Sequence, residues 1–202
     1  HRVGKERKLA IGGGFARTQL ELYGIGPFND YYVEFDTADV SGAFESEVLD
    51  VRSNYTLLSA FASANHDYIG HTRYDSNPIQ HSFETDVEAH HTFSFPEGLE
   101  HGLLGGVGYR LKSIDWNYLI DEPPIEHNVG IFAQDALSLA EHYAMVLSGR
   151  VDYVPALETV VPSGRGTFII KPGESTRQAI RASVGTAFRT PTFLEAYLDI
   201  PI

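Results

Sequence analysis

Nine histidines in 202 residues raise metal chemistry first. The densest group is His90 and His91 beside Glu84, Asp86 and Glu88, an imidazole and carboxylate set of the kind that holds Zn2+. The surrounding stretch, SFETDVEAHHTFSF over 82–95, alternates apolar and polar residues. On a strand, His90 and His91 therefore point to opposite faces and cannot share one ion without a bulge. Solitary histidines are the expectation, with no metal and no cofactor. Ser163, in PSGRG, lacks a nucleophile elbow, and Gly12 to Gly14 lead into neither a lysine-bearing phosphate loop nor a helix. No catalytic constellation emerges, and the chain is not expected to be an enzyme.

A second grouping is more informative. Glu84, Asp86, Glu88, Arg110, Lys112, Arg150, Asp152, Arg181 and Arg189 each fall on the side opposite the apolar residues of their own segment. On one side of 82–95 stand Phe83, Thr85, Val87, Ala89, His91, Phe93 and Phe95; the other side is wholly polar. Period-two alternation of this kind specifies a strand with one greasy and one wet face. At about 3.3 Å per residue this strand would reach roughly 45 Å, long for a compact soluble sheet but ordinary for a barrel that crosses a membrane.

The elements that would carry these residues follow the same pattern. Residues 8–23 and 31–40 read as strands, the first interrupted by Gly12 to Gly14, where a bulge, bend or close backbone approach is expected. In the second, Tyr31, Val33 and Phe35 oppose Glu34 and Asp36, and 39–42 is compatible with a turn. Residues 43–69 stay open, because 55–64 fits a strand and a short amphipathic helix equally. Residues 70–80 read as a polar loop. A tight connection at 96–100 leads into a return strand, making a hairpin. Further strands are expected at 128–139, 143–153, 167–171 and 177–189. Short turns at 96–100, 140–142 and 172–176 alternate with longer links at 113–127 and 154–166. An up-and-down meander puts alternate connections at the same end, so one rim is tight and the other loopy, as in outer-membrane barrels.

Composition agrees. Nineteen Gly, 11 Tyr and 12 Phe against one Met favour strands and turns. The net charge of −12 argues against nucleic acid, which needs clustered cations to displace counterions. There is no Cys, which excludes disulfides and thiolate metal sites. No run of about 18 apolar residues encodes a transmembrane helix, a test blind to barrels, whose strands alternate. HRVGKERK at the start lacks the apolar core of a signal peptide, so an export signal would lie upstream.

Three stretches then carry a family resemblance. NVGIFAQDALSLAEHYAMVLSGRVDYVP, with Phe132, Gln134 and Asp135 followed by Gly149, Arg150 and Asp152, resembles the barrel of TonB-dependent outer-membrane receptors. RASVGTAFRTPTFLEAY is similar to that family's strand and loop ending in Phe188, Arg189, Thr190 and Pro191, followed by Glu195 and Tyr197. TDVEAHHTF with HGLLGGVGYR is similar to the preceding strand pair. The resemblance implies an all-β, antiparallel up-and-down meander: a partial transmembrane β-barrel of about nine or ten strands, from a barrel that closes with 22. Residues 1–202 form one part of that barrel domain, without a plug domain or closing C-terminal strands. The resemblance also implies a location in the bacterial outer membrane, contact with its lipid, a small nutrient ligand and energy from the TonB-ExbB-ExbD complex acting through the plug. In this reading Glu84, Asp86, Glu88, Arg110, Arg150, Asp152, Arg181 and Arg189 face the lumen. Trp116 and Tyr118 become candidates for the extracellular rim. The alternative is a soluble carbohydrate-binding or structural sheet, whose apolar faces would have to cover a dry core.

Overall fold

The computed structural model describes residues 7–25, 28–66, 72–116, 119, 125–139, 142–172 and 178–197. Ten strands form one antiparallel sheet: β1 (Lys8–Ile25), β2 (Phe28–Glu45), β3 (Leu49–His66), β4 (Thr72–Ser76), β5 (Ile79–Phe95), β6 (Leu99–Asp115), β7 (Glu126–Leu139), β8 (Tyr143–Val154), β9 (Thr159–Ile170) and β10 (Ile180–Thr186). The order follows the chain, except that β4 and β5 share one side of β3. β5 pairs with 49–59 of β3 and β4 with 62–66, so the two are one course broken at Asn77 and Pro78. Pro78 has no N–H to give to a ladder, yet its carbonyl still accepts from Ala60 N at 2.9 Å. β1 and β10 are the two edges among the described strands, and the arc is not closed.

Several expectations change. Residues 55–64 are strand, because β2 on one side and β5 with β4 on the other supply partners for the backbone that a helix would have satisfied internally. Residues 39–42 lie inside β2, not in a turn, facing Gly14 to Ile11 in unbroken register; the glycines of β1 permit close approach rather than marking a bulge. The loop expected at 70–80 contains β4 and the start of β5. The link expected at 154–166 is a single 3-10 turn at Pro155–Leu157 followed by β9. The last β9–β10 pair is Thr186 with Gly164. Pro162 therefore sits where β9 has no strand on that side, the place where a sheet tolerates proline.

Connections at 46–48 and 96–98 are short and share one end with 140–142, while 67–78 and 116–125 at the other end are longer. Other pairs break this rule: β1 to β2 and β8 to β9 are tight although they join at the second end, and β9 to β10 spans 171–179. Most of the turn expected at 172–176 lies outside the described residues.

Register fixes the two faces. Val87 pairs with Val107, Val107 with Ile131, Ile131 with Val151. One residue away along each strand, the alternating set on the other face runs through Asp86, Gly108, Gly130 and Asp152. The apolar face has no protein cover: Ile131 is 60% exposed, Val107 45% and Leu103 42%. Among the described hydrophobic residues only Val33, Ala60, Leu119 and Val154 are buried. A soluble sheet requires the reverse, since burying such side chains is its main source of stability.

Candidate functional site: the charged concave face

Side chains from five strands, β5 to β9, line shared hollows on the polar face, the inner, concave side of a barrel arc whose interior is polar. Glu84, Asp86 and Glu88 stand on it from β5, Arg110 from β6, Arg150 and Asp152 from β8 and Arg181 from β10, by continuous register. Arg110 Nε meets Glu84 Oε1 at 2.6 Å across the β5–β6 ladder. On β8, Arg150 and Asp152 are two residues apart and so share a face; Arg150 Nη2 lies 2.7 Å from Asp152 Oδ1, and Nε donates to both carboxylate oxygens. The guanidinium also sits 5.9 Å from the centre of the Phe132 ring on β7, within reach of a cation–π interaction.

Two glycines make room for this group. A Cβ at Gly130 would lie 2.6 Å from Arg150 Nη2 and collide with Asp152 Oδ1, and one at Gly108 would lie 2.7 Å from Asp86 Oδ1. The charged side chains therefore lie flat across β6 and β7, over backbone. A cavity of about 360 Å³ opens beside them, lined on the sheet by Asp86, Arg110, Asn128 and Arg150 and from above by residues 187, 188, 190 and 191.

Arg189 is not on a strand, because β10 ends at Thr186. It belongs to a strap that continues from the sheet. Both terminal nitrogens of Arg189 donate to Glu195, each at 2.8 Å. Thr192 N donates to Glu195 Oε2 at 2.7 Å and Glu195 N to Thr192 Oγ1 at 3.2 Å. This reciprocal pair is a capping box, and it opens the short helix α1 (Phe193–Tyr197). The hydrogen bond from Arg189, then that from Thr192 N, holds the Glu195 carboxyl down at about 2. Burial, and then the nearby Glu126 carboxylate, pushes the Tyr197 hydroxyl up to about 12. Glu126 opens β7 on the polar face and is itself buried, so the strap is tied to the sheet it crosses.

Of the rim candidates, Trp116 follows β6 and its indole N–H donates to Ser76 Oγ, joining a long connection to β4. Tyr118 lies outside the described residues. The sequence reading missed Arg52, which pairs in register with Asp86, because 43–69 had no legible period. Phe132 and the two seat glycines were missed as well. Only register brings them against Arg150, so the sequence carried no direct signal for them.

On β5 to β8, with Tyr55 of the neighbouring β3, the apolar face carries its aromatic residues at two levels. Tyr55, Phe83, Tyr109 and Tyr153 lie toward one end, Phe93, Phe95 and Tyr143 toward the other. Tyr55 and Tyr109 hydroxyls bond His81 and His127 Nδ1 at 2.7 and 2.8 Å. Phe83 and Phe95 are about 40 Å apart along the strand, or about 30 Å for a strand tilted as in membrane barrels, which matches a bilayer's hydrocarbon core. Beyond the upper level the same face turns ionic, with Arg17 and Asp36 joined by two 2.6 Å bonds. Glu34 there accepts from Gln19 and Tyr32 at 2.7 Å each. Here β2 departs from the expected arrangement, since Val33 and Phe35 are on the concave face and Glu34 and Asp36 outside.

Among the described residues no cluster of three or more His, Asp or Glu could hold a metal ion, and no helix is long and apolar enough to cross a membrane. Searches of curated proteins and of solved structures returned no significant match. A family model described as TonB dependent receptor-like, beta-barrel matches residues 8–200. With nearly the whole chain matched and the strands arranged as an open arc of such a barrel, this chain belongs to the TonB-dependent receptors, a family of outer-membrane transport proteins rather than enzymes.

Proposed function

We propose that the charged face lines the bore of a receptor that takes up a scarce nutrient such as a ferric siderophore, cobalamin, haem or a glycan. Residues 1–202 serve as one part of a barrel domain that works with a plug and further strands. Glu84, Asp86, Glu88, Arg110, Arg150, Asp152 and Arg181 provide a hydrated, internally balanced wall against which a plug or a passing ligand slides. Arg189 contributes by holding the strap above that wall. Trp116 and Tyr118 belong to the external rim. Energy comes from the TonB-ExbB-ExbD complex through the plug, so selection is by binding rather than covalent chemistry.

The supporting observation is the inversion of faces: apolar residues exposed on the convex side, ion pairs gathered on the concave one. In a membrane barrel the convex side meets acyl chains and charge belongs in the water-filled interior. The test is uptake by cells carrying the complete receptor, with labelled ferric siderophore, cobalamin, haem and oligosaccharide offered in turn. One should accumulate above receptor-free cells and stop when the inner membrane is de-energised. Accumulation of none, or uptake indifferent to the energy supply, would overturn the reading.

A further inference from the structure

Within the apolar band of the convex face stands one carboxylate among the described residues, Asp135. It occupies the register row of Leu103 and Leu147. Asp135 Oδ2 meets His101 Nδ1 at 3.2 Å, and Oδ1 is buried with no hydrogen-bond partner. A carboxylate left short of donors in an apolar setting is costly, and on a lipid-facing surface it usually has a function. The side chain as a whole is 35% exposed. The torsion about its Cβ–Cγ bond is broad and soft, so Oδ1 can turn outward.

Next to it the surface is hollowed. Ala89, Gly105, Ala133 and Gly149 form one unbroken row across β5 to β8. They floor an open groove of about 920 Å³ with Asp135, Leu103 and Leu147 along one side. A Cβ placed on Gly149 would meet nothing within 4 Å. Four strands at their usual spacing give the floor a length of about 14 Å. Because barrel strands tilt, the groove slants through the membrane instead of lying level. Asp135 lies toward the end carrying Phe93, Phe95 and Tyr143, where headgroups meet hydrocarbon.

We propose that this groove seats a phospholipid whose headgroup ends in a primary ammonium, with an acyl chain on the small-residue floor and the ammonium donating to Asp135. The chemistry selects the headgroup. A carboxylate flanked by His101 needs a donor that also brings positive charge, which a primary ammonium supplies. A quaternary ammonium has no N–H to donate, and an anionic headgroup is repelled. The inference rests on the convex face being the lipid-facing one.

The complete receptor, purified in mild detergent and exposed to equimolar phosphatidylethanolamine, phosphatidylcholine and phosphatidylglycerol, should retain the first over the other two by about tenfold in native mass spectrometry. Asp135→Asn should remove that preference while leaving total bound lipid nearly unchanged. Gly149→Leu, which fills the groove in open space, should lower retention of the preferred lipid several-fold. Equal retention of the three lipids by the unmodified receptor, or an unaltered preference in Asp135→Asn, would overturn the site while leaving the barrel reading intact. A receptor that stays monodisperse without detergent and retains no lipid would overturn both.

Discussion

Two arginine–aspartate pairs on this sheet have nearly the same contact distances and opposite placements. Arg17 and Asp36 point out from the convex face, across the β1–β2 ladder; Arg150 and Asp152 lie on the concave face, over Gly130. What separates them is height along the strand. β1 carries Leu9, Ile11 and Phe15 on its convex side before Arg17, and β2 carries Phe44 and Val40 before Asp36. Asp135 apart, charge among the described residues turns outward only beyond the apolar stretch. A sheet facing water on its convex side would show no such boundary, whereas a hydrocarbon layer of fixed thickness imposes one.

The largest expected effect comes from moving charge across that boundary. Ile131→Arg puts a cation in the middle of the band and should destabilise the complete receptor by about 2 to 4 kcal/mol in lipid vesicles. Gln19→Arg, on the same face but above the band, should change stability little. Equal costs in urea titrations of the two variants would erase the boundary.

On the concave side, Gly130→Val drives a side chain into Arg150 and Asp152 and should cost about 1 to 3 kcal/mol by overpacking. The cost should shrink when Arg150 and Asp152 are both replaced by alanine, a coupling that a thermodynamic cycle measures. An undiminished cost would mean that the glycine serves the backbone instead of the ion pair.

Removing the outward pair should matter less. Arg17 is 54% exposed at its side chain, and exposed pairs are weak and screened by salt. Arg17→Ala should give a small loss of stability that disappears in molar salt. A large, salt-independent loss would place this pair inside the apolar layer.

The smallest effect is confined to the strap. Glu195 has its carboxyl lowered from the ordinary 4.5 to about 2 by Arg189 and Thr192, so its latch contributes fully above 4.5. That contribution is lost as pH falls toward 2, where the carboxylate takes up its proton. Hydrogen exchange at Glu195 and Ala196 should therefore show the strap closed at pH 7 and pH 5 and opening only near pH 2. Glu195→Ala should open it throughout without changing the sheet. A strap that opens between pH 6 and 5 would assign the latch to another group.

Much of the fold was legible in the residues because a half-exposed strand writes its two environments into alternate positions. That signal was strong in β5 to β8, where one side is mostly apolar and the other mostly polar. It failed in 43–69, where Ser53, Ser59 and Ser63 interrupt the apolar side and Leu58, Ala60 and Ala62 the polar one, and in the upper half of β2, where Val33 and Phe35 take the concave face and Glu34 and Asp36 the convex one. It failed again at 159–166, since Pro162 and Gly164 signal a loop unless the neighbouring strand is known to stop short. The candidate site was legible as a list of charges but not as pairs. Nothing in the sequence places Gly130 beneath Arg150, or Phe132 beside it.

By itself the sequence determined the class of structure, the polarity of the two faces in β5 to β8 and the family, because these depend on period, composition and short motifs within single strands. Only the tertiary arrangement decided which charges meet, that Arg189 leaves the sheet to latch a strap, and where along each strand the outward side changes from apolar to ionic. Those outcomes depend on register between strands far apart in sequence, and a one-residue slip in register exchanges every inward side chain for an outward one.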